Sequence, residues 1–264
     1  MAENTSNIAW ERFKDLYLPV SKIPERTIFE ENKIIYDKCL KILKAFFTRG
    51  MVNSRSPIKG FLFEGPPGTG KTELAKQIAR GTMNWYLAER EEPHLLVLDG
   101  SSIASPKWGD AEATLQGAFT LHKSELLGKQ ARVVLLFDDI ESLMLARSSE
   151  IAKEWHFSIN AVLFHCLDDI DASRTFVFAT TNRPDLIDDA LRDRLYPFKF
   201  ALPSQGSLLE IAREQLHNMG DIRDRSQQQV LDAVKKLLAQ KKDASIRDVE
   251  RWVMTECVER GVWD

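Results

Sequence analysis

A glycine-rich turn between a short apolar run and a helical pattern constrains this chain more than any other part of its sequence. The run FLFEG (61–65) predicts a buried strand, the turn GPPGTGKT (65–72) follows it, and a helical pattern covers 71–90. Glycines in such a turn let backbone N–H groups curl around an anion, and the helix start adds its positive dipole end. The arrangement therefore predicts a phosphate site. A turn that merely joins a strand to a helix is the alternative, but such turns rarely carry Lys-Thr after Gly-x-Gly.

The turn satisfies the pattern G-x-x-x-x-G-K-[ST] in full, and this pattern gives its side chains separate roles. Lys71 is expected to reach the β- and γ-phosphates of a bound nucleotide, and Thr72 to place its hydroxyl on Mg²⁺. The other nucleotide-binding residues expected in the turn are Gly65, Pro66, Pro67, Gly68, Thr69 and Gly70.

Apolar strands alternate with helical patterns over most of the chain. Beyond the first strand, further strands are expected at 94–100, 132–139, 174–182 and 195–202. Helical patterns cover 28–47, 71–90, 111–127 and 151–170. Because the strands are apolar almost throughout, they favour a parallel sheet covered by helices on both faces.

The pattern changes after Pro203, where amphipathic helices follow one another without strands. We therefore predict three parts. An N-terminal arm covers 1–27, a three-layer αβα domain with a parallel sheet covers 28–203, and a small α-helical lid domain covers 204–264. In the arm, Trp10, Phe13 and Tyr17 have the spacing of one helical face, which would either dock a partner or pack on the parent domain.

Composition excludes several classes of protein. The chain has 264 residues, 44% of them apolar and 28% charged, as in soluble globular proteins with a sizeable core. A formal net charge of −3 gives no support to a nucleic-acid surface. Three scattered cysteines predict neither a disulfide framework nor a zinc site, which suits the cytoplasm. No apolar run approaches the ~18–20 residues that span a bilayer, and the N-terminus lacks the apolar stretch of a secretory signal.

Two carboxylates follow the most strongly apolar strand, in VVLLFDDIES (133–142). Ligands of open α/β sheets bind beyond the carboxyl ends of the strands. We therefore expect Asp138 to hold Mg²⁺ directly or through water, and Asp139 to orient or activate an attacking water. A helix N-cap would explain one of these acids but not both.

With GPPGTGKT, LLFDDIES and FVFATTNRPDLIDDAL in this order, the chain resembles the AAA clade of the AAA+ ATPases over most of 28–260. The resemblance implies a P-loop NTPase fold, ATP as the nucleotide, and a ring, usually a hexamer, with ATP between subunits. Asn182 matches sensor 1, the polar group that helps to position the lytic water. Arg192 and Arg194 match the segment that carries arginine fingers, which stabilise transition-state charge in the neighbour's site. Without the motif, a solvated or salt-bridged loop is the better interpretation of both arginines.

The chain departs from the family in two places. Family members usually have Asp-Glu where this chain has Asp138-Asp139, and the shorter Asp139 carboxylate predicts slow hydrolysis or an adjusted geometry. The last helix opens ASIRDVERW, which puts Arg247 where many other AAA+ groups carry a sensor 2 arginine. A surface arginine in a first helical turn is the alternative for Arg247. The adenine pocket is expected near Ile28 and Phe29 from family order.

The segment PKWGDAE resembles the pore loop of the katanin and spastin branch. Lys107 and Trp108 match its Lys-aromatic pair, although one residue is missing after the tryptophan and Pro106 is added. A ring of tryptophan faces would intercalate between the side chains of an extended peptide. Packing of Trp108 on the α/β core is the alternative. A second inner loop is expected at 146–155, where an ordinary surface loop is equally plausible.

These features predict an ATP-driven protein remodeller, a homo-oligomeric ring that pulls a polypeptide through its pore with the help of an adaptor or partner protein. A switch or assembly factor that hydrolyses ATP slowly or not at all is the rival, and it rests on Asp139. A DNA-directed AAA+ regulator is a third possibility, which the acidic net charge and Trp108 disfavour.

Overall fold

The computed structural model of the chain describes residues 13, 16–49, 58–85, 92–99, 110–123, 131–143, 154–220 and 224–262. Its strands are β1 (Tyr17–Pro19), β2 (Gly60–Glu64), β3 (His94–Asp99), β4 (Val133–Asp138), β5 (Thr175–Thr181) and β6 (Leu195–Lys199). Its α-helices are α1 (Glu30–Arg49), α2 (Lys71–Arg80), α3 (Asp110–Thr120), α4 (Glu154–Asp168), α5 (Asp189–Arg192), α6 (Gln205–Asn218), α7 (Asp224–Gln240) and α8 (Ile246–Glu259).

The six strands form a single sheet in the order β1-β3-β4-β5-β2-β6. The pairs from β3 to β6 are all parallel, which confirms the predicted parallel sheet. β1 is the exception, because it pairs antiparallel with β3, with Tyr17 opposite Leu96. A three-residue strand ending in proline carries no periodic signal, so the sequence pattern gave no indication of it.

Strand composition explains why the sheet lies inside helical layers. Every residue of β2 and β5 is buried, as are the first five of β4, because both faces are covered. One face carries interlocking phenylalanine rings on β2, β5 and β6, with neighbouring ring centroids 4.8–6.0 Å apart. The middle of the sheet is therefore apolar, and the carboxyl ends of its parallel strands, which carry polar residues, lie together at one end of the sheet.

Phe13 and Tyr17, two residues of the predicted N-terminal arm, belong to this core. Phe13 is only 1% exposed and packs in the main apolar cluster. Tyr17 lies in β1 and stacks on His94, with ring centroids 4.2 Å apart. Packing on the parent domain is thus the alternative that holds for Phe13 and Tyr17, although Tyr17 lies in a strand and not on a helical face. Trp10 lies outside the described residues.

Helices α2 and α3 end before the predicted bounds. After Arg80 comes Gly81, and the helical pattern breaks into a turn through Trp85. After Thr120 a short 3₁₀ helix covers Leu121–Lys123. Residues 81–85 and 121–123 thus form turns and short 3₁₀ segments in place of α-helix, and residues 86–90 and 124–127 of the two predicted helices lie outside the described residues.

The chain divides into two compact units. The first contains Met1–Arg26, Ile35–Gly65 and Lys71–Lys199, and the second contains Thr27–Ile34, Pro66–Gly70 and Phe200–Asp264. The second unit has its own core on α6, α7 and α8, formed by residues such as Leu208, Leu216, Val234, Leu238, Val249 and Val253. A C-terminal helical region is thereby confirmed, while the bounds assigned to arm, α/β domain and lid stay predictions.

Candidate nucleotide-binding site

Lys71 is the first residue of α2, directly after the glycine-rich turn, and it is buried. Its Nζ donates to the Gly65 carbonyl and to Asn182 Oδ1, both at 2.8 Å. Gly65 follows β2 and Asn182 follows β5, which are neighbouring parallel strands. The lysine tip is therefore held at the carboxyl edge of the sheet, where ligands of such folds bind.

Asp138 ends β4 and accepts two hydroxyl hydrogen bonds on one carboxylate oxygen. Thr72 Oγ1 and Thr180 Oγ1 each lie 2.6 Å from Asp138 Oδ1. Both residues predicted to meet Mg²⁺, Thr72 and Asp138, are thus in direct contact. Hydroxyl and carboxylate oxygens are the ligands that Mg²⁺ prefers, and this ion commonly takes only one or two protein ligands beside phosphate and water. Among the described residues no group of three or more His, Cys, Asp or Glu forms a metal cage.

Asp139 has a left-handed backbone, with φ 50° and ψ 55°. Among the described residues no other non-glycine has a positive φ. Its N–H donates to Thr180 Oγ1 at 3.1 Å, and its Oδ1 accepts from Asn182 Nδ2 at 2.7 Å. A conformation that costs of order 1–3 kcal/mol persists where the surroundings impose it, and such residues cluster at functional sites.

Asn182 therefore joins two of the predicted site residues with the two ends of its amide. Its Oδ1 accepts from Lys71 and its Nδ2 donates to Asp139. This Lys71–Asn182–Asp139 chain connects the turn, the sensor 1 position and the second acid. The glycine-rich pattern predicts Lys71, the acids after the apolar strand predict Asp139, and the family resemblance predicts Asn182; in the structure the three side chains are linked by hydrogen bonds.

Glu141 is a residue of this site that sequence reasoning missed. It lies in the 3₁₀ helix Ile140–Ser142, and its Oε1 accepts from the Asn182 backbone N–H at 2.9 Å. Glu141 lies in the segment LLFDDIES, but only the two consecutive aspartates of that segment were predicted to belong to the site. The signal available was an acidic residue in the turn directly after the site strand.

The remainder of the turn belongs to the second unit. Gly68 has φ +71°, and a Cβ there would stand 2.8 Å from the Ser245 Cβ. The Gly68 carbonyl accepts from the Ile246 N–H at 3.0 Å, and the Arg247 backbone nitrogen lies 3.8 Å from that Cβ position. The start of α8 therefore packs on the turn, and Arg247 is the second residue of that helix. The expected sensor 2 arginine thus belongs to a helical turn beside Gly68.

Two further contacts involve the turn. The buried Thr69 donates its hydroxyl to the Pro66 carbonyl at 3.0 Å, which closes the turn on itself. A Cβ at Gly70, where φ is +85°, would lie 3.6 Å from Phe29 Cε2. Phe29 was expected near the adenine ring, and it lies beside the turn.

Both candidate arginine fingers have partners inside their own chain. Arg192 Nη1 lies 2.6 Å from Oε1 of the buried Glu64, and its Nη2 donates to the Pro184 carbonyl. Arg194 forms a fork with Asp168, at 2.8 and 2.7 Å, and its guanidinium lies 4.9 Å from the Phe164 ring centroid. The hydrogen bonds from Arg194 lower the pKa of Asp168. The salt-bridged alternative therefore describes both arginines in the single chain.

Some predicted residues lie outside the described part of the chain. Lys107 and Trp108 are among them, as are residues 146–153 of the second candidate loop. Their roles stay predictions. None of the helices described is both long enough and apolar enough to cross a membrane.

The sequence matches the model of the family described as "ATPase family associated with various cellular activities (AAA)" over residues 61–201. One relative is the "ATPase histone chaperone YTA7" of Saccharomyces cerevisiae, 33% identical over 166 residues, which are 61% of this chain and 11% of the relative. Another is the "AAA ATPase forming ring-shaped complexes" of Corynebacterium glutamicum (strain R), 32% identical over 136 residues, or 51% of this chain and 25% of the relative. The chain thus spans a quarter or less of the length of these relatives.

A solved structure with the same fold is C. elegans PCH-2. It superposes with a TM-score of 0.62 at 16% sequence identity, over 92% of this chain and 74% of that one. At this identity the similarity concerns the fold alone.

Proposed function

Because this chain belongs to the AAA family of ATPases, we propose that it hydrolyses ATP to remodel other proteins as a homo-oligomeric ring, most simply a hexamer. Membership carries nucleotide binding and the ATPase fold. The ring, the polypeptide substrate and the cytoplasm as place of action are the proposed part.

One observation carries the hydrolytic proposal: the hydrogen-bonded chain from Lys71 through Asn182 to Asp139, beside the Thr72–Asp138 contact. A lysine for the phosphates, a hydroxyl and a carboxylate for the metal, and an acid with an amide for water are the groups that phosphoryl transfer to water needs. All of them stand at one edge of one sheet in this chain.

Each of these side chains then has a defined role in hydrolysis. Lys71 gives its charge to the terminal phosphates, and Thr72 with Asp138 offers two oxygens to Mg²⁺. The metal, when bound with ATP, neutralises charge that develops on the phosphate oxygens. Asp139 orients the attacking water and accepts its proton, while Asn182 holds the Asp139 carboxylate in place through the 2.7 Å hydrogen bond.

Ring assembly supplies the remaining groups. We propose that Arg192 and Arg194 exchange their partners in their own chain for the nucleotide of a neighbouring subunit, and that Arg247 contacts the γ-phosphate. Lys107 and Trp108 grip the substrate in the central pore. Support comes from a relative whose name records ring-shaped complexes and another that is named a histone chaperone.

A slow switch is the second candidate, and Asp139 favours it. Its carboxylate is one methylene shorter than the usual glutamate and already holds Asn182. A chain with this geometry would bind ATP and assemble, and would turn over only slowly.

Turnover measurements distinguish these candidates. ATPase rates are measured for the wild type, Lys71→Ala, Asp139→Glu and Trp108→Ala, alone and with a chemically unfolded polypeptide. The remodeller requires wild-type turnover above that of Lys71→Ala and stimulation by the polypeptide. Trp108→Ala should keep the basal rate and lose the stimulation, whereas Tyr196→Ala, which removes an exposed aromatic ring of β6, should keep both.

Three other results would change the conclusion. If the wild type shows only background turnover and Asp139→Glu raises the rate, the result supports the switch. Salt-sensitive stimulation of the ATPase by DNA contradicts both candidates and favours a DNA-directed protein. A monomer in light scattering with a non-hydrolysable ATP analogue contradicts the ring.

A further inference from the structure

Glu141 has a carboxylate with two unequal oxygens. Oε1 accepts the backbone N–H of Asn182 at 2.9 Å, whereas Oε2 is buried and has no hydrogen-bond partner in the part of the chain that the structure describes. Arg183, the residue after Asn182, directs Nε and Nη2 to Asp185 at 3.0 and 2.7 Å. Leaving a buried acceptor unpaired costs about 1–3 kcal/mol, and more for a charged group. Such a cost calls for a function.

The Asn182 N–H needs this acceptor because of where it stands. β5 ends at Thr181, which is in register with Glu64, the last residue of β2. Asn182 is therefore one residue beyond the last ladder pair of these strands, and no neighbouring strand offers it a carbonyl. Glu141 replaces the missing ladder acceptor, 41 residues away in sequence.

The position of Asn182 decides the geometry of the site. Its side chain spans Lys71 and Asp139 at 2.8 and 2.7 Å, so both ends of the amide are engaged. Rotation of its backbone would break both contacts. With an aspartate at 139, which has less reach than a glutamate, the site tolerates little such movement.

We propose that Glu141 is a positioning residue for ATP hydrolysis, which fixes the Asn182 main chain and through it the Asp139 carboxylate. This inference rests on the proposed ATPase function. Glu141 acts through the acceptor geometry of Oε1, not as the base, so an uncharged acceptor of the same shape preserves its role.

The test compares Glu141→Gln, Glu141→Ala and Glu141→Asp with the wild type. Glu141→Ala should lower kcat by about 100-fold, the cost of a small misplacement in an active site. The affinity for a fluorescent ADP analogue should stay within about twofold, because Lys71 Nζ also donates to the Gly65 carbonyl and this second bond keeps the lysine at the site. Glu141→Gln should keep most of kcat and the wild-type pH profile, whereas Glu141→Asp, which is too short to reach Asn182, should behave as Glu141→Ala does.

Hydrogen exchange gives a readout that is independent of turnover. Glu141→Ala and Glu141→Asp should accelerate amide exchange in the peptide that contains Asn182, and Glu141→Gln should not. Asp185→Ala is the matched control, since it removes an acid of the next turn whose carboxylate accepts from the Arg183 side chain. This control should leave kcat and the exchange rate unchanged.

Several outcomes would overturn the inference. Unchanged kcat in Glu141→Ala is one, and unchanged exchange at Asn182 is another. Equal loss in Glu141→Gln and Glu141→Ala is a third, because the negative charge itself would then be required. Background turnover in the wild type contradicts the proposed function instead, and in that case the exchange result alone decides whether Glu141 holds Asn182.

Discussion

Arg192 and Arg194 are separated by one residue, yet they stand in different electrostatic surroundings. The partner of Arg192 is Glu64, whose side chain is 4% exposed. The partner of Arg194 is Asp168, whose side chain is 49% exposed. Breaking a buried pair leaves an uncompensated charge, whereas water replaces the partner of an exposed pair.

This difference predicts unequal losses of stability. Arg192→Ala should lower the free energy of unfolding by about 3–5 kcal/mol, since Glu64 remains buried and unpaired. Arg194→Ala should cost about 1 kcal/mol or less from the ion pair. Urea unfolding of nucleotide-free protein at low concentration measures both.

The double variant Glu64→Gln with Arg192→Ala provides the control. It should recover part of the stability that Arg192→Ala loses, because a neutral amide is cheaper to bury than a carboxylate. Equal losses for the two single arginine variants would contradict the assignment of a buried and an exposed pair.

At this scale the sequence indicates the residue types of the candidate site but not the contacts between them. Lys71, Thr72, Asp138 and Asn182 followed from a motif, because each position needs one kind of polar group. Glu141 and the Arg192–Glu64 pair depend on which strand ends meet across the sheet, and no local pattern records that.

At the scale of elements, β1 joins the N-terminal segment to the sheet. It pairs with the edge strand β3 through three residues, and Phe13, just before it, is buried in the main core. The segment thus contributes to the same hydrophobic cluster as β4 and β5.

The burial of Phe13 predicts a large effect for a residue outside the family match. Phe13→Ala should lower the free energy of unfolding by about 3–5 kcal/mol, through lost transfer energy and a cavity. Phe13→Leu should cost less, because it keeps most of the volume. Chemical unfolding measures both, with the partly exposed Tyr196→Ala as control. A loss of less than about 1 kcal/mol for Phe13→Ala would place the segment outside the folded core.

Element prediction succeeded where the apolar runs were long and failed where they were short. The five strands of the parallel sheet are each five to seven residues long, and the residues of β4 are nearly all apolar. Such runs predict strands from the sequence alone. β1 is three residues long and gains its conformation from Leu95 and Leu96 of β3, which are distant in sequence. Tertiary pairing, not local propensity, forms it.

At the scale of the whole molecule, a falling pH should destabilise the fold first through protonation of a buried histidine and only at lower pH through protonation of carboxylates. Burial lowers the pKa of His94 to about 4, while the unfolded chain has about 6.5. Below pH 6.5 the unfolded state therefore binds a proton that the folded state refuses until about pH 4, so stability falls as the pH drops through this window. Asp248, with a pKa of about 2 because of its hydrogen bonds from the Ser245 backbone and Lys241, acts only at lower pH.

The free energy of unfolding should thus decline between pH 6.5 and 4, by an amount on the order of 1–3 kcal/mol from His94. His94→Phe keeps an aromatic ring to stack on Tyr17 and removes the titrating group, so its stability should vary less over that range. Denaturant unfolding at a series of pH values measures both. An equal slope in the two proteins would contradict this assignment. His122, whose pKa burial also lowers, accounts for a slope that remains in the variant.

The pairing of β1 with β3 has a practical consequence for anyone who shortens the protein. The family match begins at residue 61, so a fragment cut to the matched range would omit Tyr17–Pro19. The backbone N–H and C=O groups of His94, Leu95 and Leu96 would then lie unpaired on an exposed edge strand, where a strand from another molecule could pair with them. Such a fragment should precipitate or polymerise even though it keeps Lys71, Thr72, Asp138, Asp139 and Asn182. The short strand β1 thus covers the edge of β3 and keeps that strand from pairing with strands of other copies of the protein.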